Sequence, residues 1–393
     1  AQDLALTPAL KEIDGAQVKG FNVAVGGKLG SGGFRIASPL DLFVKPEEAA
    51  SVCSHIVMLF RDHGARELRT KARLAFLIED WGVERFRDQL ERRVDRPLTS
   101  AGTDQRTPKH TDHIGVFRQQ QAGLNYVGLA VPVGRMTAEQ MLQVADVAES
   151  YGSGELRLTV GQNVILPNVP DAKIGALTEE PVLQQLRYDP SEVMRGLVSC
   201  TGMDFCHFAL IDTKGWALKT ARALETKLGK TQPLRMHWSG CPASCGNHTV
   251  ADIGLLGKNI KLNGEVVEAV DVFAGGAAGC EANFPIKLLE DVPCEDLAEV
   301  VAGLVKHGAF KAMRQQLRKI PQAPALGKAK EVEAKAEPAK PMIRADEIKE
   351  GAAKLVRVTN EEIAVFKHQG RLCAMQNNCP HEGGQLSAGW IED

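Results

Sequence analysis

An internal repeat with a fixed spacing constrains the fold more than any other feature of this sequence. A four-residue motif occurs at 3–6 and again at 252–255. A strand-like run occurs at 22–25 and 271–274, and a glycine pair follows it at 26–27 and 275–276. The offset is 249 residues in each case, and acidic helix starts follow at an offset of 248, at 47–50 and 295–298. Matched spacing over this length indicates two copies of one structural unit. We therefore predict a pseudo-two-fold fold in which residue 1 corresponds to residue 250, with the counterpart of about 110–249 lying before residue 1.

The order of predicted elements gives the fold class and the domain plan. Residues 44–95 read as helices that Gly82 punctuates, with an apolar face between 49 and 60. Residues 124–187 read as β-α-β-β-α, with strands at 124–133, 155–160 and 163–166, a helix that starts at the capping-box sequence 137–140, and a helix over about 172–187. This order is typical of a split βαβ, ferredoxin-like lobe. After an Ala-, Lys-, Glu- and Pro-rich linker, short alternating runs indicate a small all-β module. We predict an α+β protein whose segments are the rest of a first α/β domain (1–105), a ferredoxin-like lobe (110–188), a second α/β lobe (189–320), the linker (321–341) and the β module (342–393).

Composition excludes several classes of protein. The formal net charge of −2 gives no electrostatic reason to expect nucleic-acid binding. Apolar runs fall short of the roughly 20 residues that span a bilayer, and residues 1–10 lack the pattern of an export signal. Nine cysteines without such a signal favour a reducing compartment, so we expect a cytoplasmic protein whose clustered thiols bind metal.

Four cysteines form the clearest chemical motif. Cys200 and Cys206 are separated by five residues, and Cys241 and Cys245 follow 34 residues later with three between them. Four thiolates complete the coordination of a 4Fe–4S cluster, and the neighbouring Gly and Pro residues suit tight loops. From spacing alone, a zinc site and unrelated buried cysteines remain open as alternatives.

Further residues carry a resemblance to a known family. The chain resembles the ferredoxin-type nitrite and sulfite reductases, which bind sirohaem and a 4Fe–4S cluster. The similar segments are Cys200–Cys206, 212–214, 237–242, 245–246 and 250–255, with 20–27, 126–134 and 157–164. Details of 212–214 and 250–255 favour the nitrite branch, and the resemblance covers about residues 1–320.

The resemblance implies a mechanism and a set of site residues. Cys200, Cys206, Cys241 and Cys245 would hold the cluster, and Cys245 would also be the axial ligand of the sirohaem iron. Electrons from ferredoxin or a similar donor would pass through the cluster to nitrite, which takes six to become ammonium. Sirohaem carries many carboxylates and needs cations and N–H donors. The candidates are Ser239, Gly240 and Asn247 in the matching loop, with Arg195, Lys214 and Lys258 as residues that could equally be plain charges.

Two departures from the family pattern affect these expectations. Ala243 stands where many relatives have Asn, which removes a polar side chain beside the cluster but leaves the ligands. The basic residues that hold nitrite in the family lie mainly in the first half, so we predict them before residue 1 and assign no catalytic residue within the chain.

The β module contains a second metal motif. Cys379-Pro380-His381, with Asn378, Gly383-Gly384 and Gly389-Trp390 around it, resembles the first half of a Rieske motif. A Rieske centre needs two Cys and two His to hold a 2Fe–2S cluster. No second Cys–His pair follows His381 in this sequence, so we expect that cluster only in a longer parent protein.

The remaining candidates have plainer interpretations. The glycine-rich run 26–33 matches no nucleotide-binding spacing, so we expect a flexible connection. We expect His207, His237 and His248 to serve packing or hydrogen bonding beside the cluster ligands, and Cys53, Cys280 and Cys294 to be structural. The basic cluster Arg66, Arg69, Lys71 and Arg73 is a solvated helix surface or a contact for an anionic partner.

Three alternatives to nitrite reduction stay open. A sulfite reductase would use the same architecture, and a haem-free relative would oxidise a corrin precursor. A protein of another class would be a zinc- or cluster-bearing electron-transfer module without catalysis of its own.

Overall fold

The computed structural model describes residues 2–30, 33–107, 111–306, 348–358, 361–368 and 371–376. Two compact units divide the chain, residues 1–327 and residues 328–393. The finer domain boundaries predicted from the sequence remain predictions. No helix of the described residues is long and apolar enough to cross a membrane.

The first copy of the repeat is a four-stranded antiparallel sheet covered by two helices. Its strands are β1 (Leu4–Ile13), β2 (Ala16–Val25), β3 (Ser38–Val44) and β4 (Thr103–Asp104), in the order β3-β2-β1-β4. Its helices are α1 (Ala49–His63) and α2 (Leu74–Val94), with 3-10 turns at Pro46–Glu48 and Arg69–Lys71. The predicted apolar face of α1 is confirmed, since Val52, Ile56 and Leu59 are buried. Gly82 interrupts α2 with φ 74°, as its punctuating position suggested.

The middle lobe has the split arrangement predicted from its sequence. Its elements are β5 (Gly115–Arg118), β6 (Leu124–Leu129), a 3-10 turn (Pro132–Gly134), α3 (Ala138–Tyr151), β7 (Arg157–Leu158) and β8 (Val164–Pro170). The sheet order is β5-β6-β8-β7, so β8 lies antiparallel between β6 and β7. Thr137 caps α3 through a complete capping box with Gln140, as the sequence indicated.

Two predictions for this lobe were partly wrong. The helix expected over about 172–187 is a 3-10 turn (Asp171–Lys173) followed by two short helices, α4 (Ile174–Thr178) and α5 (Val182–Gln185). Pro181 separates them because a proline disfavours the helical conformation of the residue before it. The strand expected over 155–160 contains only Arg157–Leu158, and Val160 is exposed.

The second copy extends the repeated hairpin into a mixed five-stranded sheet. Its elements are α6 (Glu192–Arg195), β9 (Leu197–Ser199), α7 (Thr213–Leu228), β10 (Met236–Ser239), β11 (Ile253–Leu262), β12 (Glu265–Ala274), β13 (Ile286–Pro293) and α8 (Leu297–Lys306), with 3-10 turns at His248–Val250, Gly279–Glu281 and Cys294–Asp296. The order is β13-β12-β11-β10-β9, and β9, β10 and β11 run parallel. The core between this sheet and helices α7 and α8 includes the fully buried Trp238 and Leu297.

The unit that contains the β module has three antiparallel strands. They are β14 (Ala353–Val358), β15 (Glu361–His368) and β16 (Arg371–Gln376), in sequential order. This agrees with the predicted all-β character. Cys379 and His381 lie outside the described residues.

Candidate metal centre

The parallel strands of the second copy explain why two distant cysteine pairs meet. Cys200 directly follows β9, and Cys241 follows β10 after Gly240. Because β9 and β10 are adjacent and parallel, their carboxyl ends lie at one edge of the sheet. The loops 200–206 and 241–245 therefore start side by side, although 34 residues separate Cys206 from Cys241.

Cys241 lies within electrostatic range of each of the other three cysteines. Burial raises the pKa of Cys241 most, and the charges of Cys245, Cys200 and Cys206 raise it further, against a lowering hydrogen bond from the backbone of Ala243. Among the described residues, no three His, Cys, Asp or Glu side chains converge closely enough for one metal ion. A cubane binds each thiolate at a different iron, so unlike a tetrahedral zinc ion it does not need three ligands to converge on one metal ion.

Cys200 has the most developed polar surroundings of the four. The Gly240 N–H donates to Cys200 Sγ at 3.2 Å, and Thr213 Oγ1 lies 3.6 Å from the same sulfur. A Cβ on Gly240 would lie 2.5 Å from Thr213 Oγ1 and 3.5 Å from Cys200 Sγ. Position 240 therefore has no room for a side chain, which explains the glycine before Cys241.

A buried histidine ties the second cysteine loop together. His248 Nδ1 lies 3.1 Å from Ser244 Oγ, inside the loop, and 3.1 Å from Ser239 Oγ, at the end of β10. Burial lowers the pKa of His248 to about 4, with a smaller contribution from the charge of His237, so the ring is neutral at pH 7. Burial also lowers the pKa of His237 to about 4, and its Nδ1 lies 3.2 Å from the carbonyl oxygen of Asn247.

The glycine-rich loop of the first copy packs on this same cysteine loop. A Cβ on Gly30, whose φ is +119°, would lie 2.5 Å from the carbonyl oxygen of Ala243. Phe34 approaches His248 edge-on, with ring centroids 5.9 Å apart. Lys28 is buried over the Phe76 ring, 3.6 Å from its centroid. The expectation of a flexible connection was wrong for residues 26–30, because long-range packing orders a segment that glycine alone would leave free.

Comparison with known proteins places this geometry in a family. Residues 1–98 and 191–307, together more than half of the chain, match the family described as Nitrite and sulphite reductase 4Fe-4S domain. The chain belongs to the nitrite and sulphite reductase family. Residues 117–183 match the Nitrite/Sulfite reductase ferredoxin-like half domain, and residues 339–393 match the Rieske [2Fe-2S] domain. Both resemblances inferred from the sequence are confirmed.

Individual members of the nitrite and sulphite reductase family are closely similar. The chain is 45% identical to a Ferredoxin--nitrite reductase of Synechococcus elongatus, over 77% of the chain and 59% of that protein. It is 43% identical to the chloroplastic Ferredoxin--nitrite reductase of Zea mays, over 80% of the chain and 56% of that protein. The solved structure of the Mycobacterium tuberculosis NirA protein matches with a TM-score of 0.71 and 32% identity, over 77% of the chain and 56% of NirA, which confirms the predicted fold class. The chain thus spans somewhat more than half the length of these relatives.

Within this nitrite and sulphite reductase fold, the four predicted cofactor-binding residues separate into two pairs. Cys245 and Asn247 are exposed at the surface of the loop. Ser239 and Gly240 are buried, and their polar groups are engaged with His248 and Cys200 respectively. Cys245 is therefore the most exposed residue of the four candidate cluster cysteines.

The three cations considered as haem contacts already have partners. Arg195 pairs with Asp112 at 3.0 Å and donates to the carbonyl oxygen of Ile114. Lys214 is buried and donates to the carbonyl oxygens of Val133 and Ser199. Lys258 pairs with Asp271 and Asp291, at 2.9 Å and 2.7 Å.

The other singled-out residues have mostly structural surroundings. Cys294 is buried, which raises the pKa of its thiol to about 12. Cys280 is exposed and lines a cavity of about 470 Å³ beside the first-copy sheet. In the basic cluster, Arg66 lies over the Phe60 ring and Arg73 pairs with Asp3 at 2.7 Å. His207 is exposed, unlike His248.

Sequence reasoning missed Thr213 and Gly30. Thr213 lies in the 212–214 segment that carried the family resemblance, but nothing local indicated that it approaches Cys200. Gly30 lies in the glycine-rich run, where glycines suit residues with positive φ. Its contact, Ala243, is distant in the sequence, so no local pattern could indicate it.

Proposed function

We propose that this chain is the cluster-bearing part of an assimilatory nitrite reductase that uses sirohaem and a 4Fe–4S cluster to reduce nitrite to ammonium with six electrons. The observation that carries the proposal is the meeting of Cys200, Cys206, Cys241 and Cys245 at the carboxyl edge of β9 and β10. The names of the relatives, Ferredoxin--nitrite reductase in cyanobacteria and plants, favour nitrite over sulfite as substrate. A ferredoxin or similar protein would be the donor, in the cytoplasm.

In this proposal the four cysteines hold the cluster, and Cys245 also ligates the sirohaem iron. The exposure of Cys245, the only exposed one of the four cysteines, supports its double role. When bound, the cluster would pass on electrons from the donor protein, and the sirohaem iron would be the site of N–O bond cleavage. The protein orients the ligands: Gly240 donates its N–H to Cys200 Sγ, and His248 fixes Ser239 and Ser244 on either side of Cys241.

The three cations considered for the sirohaem carboxylates are all engaged within the protein. Arg195 and Lys258 are neutralised by neighbouring carboxylates, and Lys214 is enclosed by carbonyl oxygens. Residues 339–393 would add a 2Fe–2S centre in the full-length protein, with Cys379 and His381 as half of its ligands.

Substitution of single cysteines tests the ligand assignment. We expect the chain, reconstituted anaerobically with iron and sulfide, to bind about four irons and show the EPR signal of a reduced 4Fe–4S cluster. Cys241→Ser should abolish that signal. Cys280→Ser should retain it, because Cys280 lies between β12 and β13 and belongs to neither cysteine loop. Equal loss in both variants, or zinc in place of iron, would contradict the proposal.

Substrate choice is tested on the full-length protein expressed with a supply of sirohaem. We expect a sirohaem absorption band and faster steady-state reduction of nitrite than of sulfite. Preferred reduction of sulfite would support the sulfite reductase alternative, and a cluster without a haem band would favour an electron-transfer module.

A further inference from the structure

The start of helix α7 is placed directly beside Cys200. Asp212 caps the helix by accepting the Gly215 N–H at 3.1 Å, so Thr213 and Lys214 are its first two residues. Thr213 Oγ1 lies 3.6 Å from Cys200 Sγ and 3.3 Å from the carbonyl oxygen of Ile211, so a thiolate at Cys200 would compete with that carbonyl for the hydroxyl proton. The positive end of the helix dipole and two polar side chains therefore lie on the same side of the cluster cysteine.

Lys214 is an unusual residue in this position because its charge is buried. Its side chain is 8% exposed, and its ammonium donates to the carbonyl oxygen of Val133 and to that of Ser199, the latter at 3.4 Å. Burial lowers the pKa of Lys214 most and the charge of Arg135 lowers it further, while the charges of Cys200 and Asp204 raise it. The thiolate of Cys200 is thus one of the few anions close enough to stabilise this ammonium.

A neutral donor would satisfy the same two carbonyl oxygens without the cost of burying a charge. The retained charge therefore indicates an anion to be compensated. A cubane with four thiolate ligands carries a net charge of about −2 when oxidised and −3 when reduced, and reduction adds one electron without a proton. A buried cation beside it stabilises the reduced form more than the oxidised form.

We propose that Lys214, assisted by the hydroxyl of Thr213, raises the reduction potential of the 4Fe–4S cluster and so makes it a better acceptor of electrons from the donor protein. This inference rests on the proposed function, because it requires the cluster on Cys200. Lys214 touches neither substrate nor sirohaem in this role and acts on the cluster through its charge. The electron comes from a reduced iron–sulfur carrier, and in the test from a mediated electrode or dithionite.

The test is a redox titration of the reconstituted chain followed by EPR. Lys214→Gln keeps a donor for the carbonyl oxygens of Val133 and Ser199 but removes the charge, and Lys214→Arg keeps the charge. Lys219→Gln, on the same helix, makes the same change in net charge at an exposed ion pair with Glu295. We expect a midpoint potential more negative than wild type in Lys214→Gln, and wild-type potentials in Lys214→Arg and Lys219→Gln.

A second pair of variants decides the question if Lys214→Gln does not hold a cluster. Thr213→Val removes the hydroxyl beside Cys200 Sγ, and Thr213→Ser restores it. We expect a smaller negative shift in Thr213→Val that Thr213→Ser reverses. A Lys214→Gln protein that binds the cluster and has the wild-type midpoint potential would overturn the inference. If Lys214→Gln binds no cluster, a Thr213→Val protein with the wild-type midpoint potential would overturn it instead. A wild-type chain that binds no 4Fe–4S cluster would instead contradict the proposed function.

Discussion

The two copies of the repeat share one hairpin but differ in what is attached to it. In the first copy Leu4 pairs with Val25 and Ile13 with Ala16, and in the second Ile253 pairs with Ala274 and Leu262 with Glu265. Every pair is shifted by 249 residues. Both hairpins turn through two residues with positive φ, at 14–15 and 263–264, which is the pattern of a type I′ turn.

The copies diverge at the outer edge of the first hairpin strand. The edge of β11 pairs with the parallel strand β10, which in turn pairs with β9, and the cysteines follow those two strands. The edge of β1 pairs only with β4, antiparallel and over two residues. The hairpin is therefore a scaffold common to both copies, and the candidate metal centre depends on parallel strands that only the second copy presents among the described residues.

The glycine loops that follow the hairpins also differ in their use. Each loop closes with an isolated bridge, Lys28 to Arg35 in the first copy and Ala277 to Asn283 in the second. The second loop is one residue shorter between these bridged positions, which explains why the repeat offset changes from 249 to 248. Gly30 of the first loop packs on the cysteine loop of the second copy, and both loops contribute residues to one cavity, Leu29 from the first and 277–280 from the second.

The largest effect is expected from the first of these glycine loops. Gly30→Ala places a Cβ 2.5 Å from the carbonyl oxygen of Ala243 and forces alanine into φ +119°. Strain and overpacking together should lower the free energy of unfolding by about 3 kcal/mol or more. The displaced Ala243 should also reduce the iron that the chain retains, measured after anaerobic reconstitution.

The control for this variant lies in the hairpin turn of the same copy. Gly15 also has positive φ, +75°, but a Cβ there meets nothing within 4 Å. Gly15→Ala should cost about 1 kcal/mol and leave the iron content unchanged. If both variants lost iron equally, contact between the first glycine loop and the cysteine loop would not support the cluster.

A second prediction concerns the histidine that the second copy buries beneath its cysteine loop. The pKa of His248 is lowered to about 4 from its unfolded value near 6.5, so the unfolded chain takes up a proton that the folded chain refuses. This residue therefore costs no stability above pH 6.5 and about 1.4 kcal/mol per pH unit as the pH falls from 6.5 toward 4. Thermal unfolding from pH 7.5 to 4.5 should show the decline.

Two amide variants separate the proton effect from the hydrogen bonds of His248. Asn places a polar atom near the Nδ1 position, within reach of Ser239 and Ser244, whereas Gln places it near Nε2, which has no hydrogen-bond partner. At pH 7.5 we expect His248→Asn to cost about 1 kcal/mol and His248→Gln about 2 kcal/mol. In both variants the stability should fall less steeply as the pH is lowered, and the remaining fall should be the part due to His237. A fall as steep as in wild type would show that His248 does not cause it.

Sequence patterns predicted those parts of the fold that depend on local periodicity or on the repeat itself. The matched offsets at Asp3 and Asp252 correctly implied equivalent hairpins, and the cysteine spacing correctly implied converging loops. Local patterns did not reveal partners distant in the chain. Nothing around Arg195 indicated its ion pair with Asp112, 83 residues away, and nothing around Gly30 indicated its contact with Ala243. The sequence therefore indicated which residues lie near the cysteines, but not which groups those residues contact.

The smallest effects are expected from exchanging side chains at one equivalent position of the two copies. Asn22 of the first copy corresponds to Asp271 of the second. Asn22 bonds to both the N–H and the carbonyl oxygen of Gly102, at 2.8 Å and 2.9 Å. Asp271 accepts from Lys258 and Lys287; burial opposes its ionisation most, but these bonds outweigh burial and lower its pKa.

Asn22→Asp should cost about 1 to 2 kcal/mol at pH 7, because a carboxylate cannot donate to the carbonyl oxygen of Gly102. Asp271→Asn should cost less, up to about 1 kcal/mol, because Lys258 and Lys287 keep partners in Asp291 and Glu290. The loss in Asp271→Asn should shrink as the pH falls below about 4, because the unfolded chain then protonates this carboxylate while the lowered pKa keeps it ionised in the folded protein. Urea unfolding of both variants at pH 7 measures the difference, and a larger loss in Asp271→Asn would mean that the second copy, rather than the first, uses this position for stability.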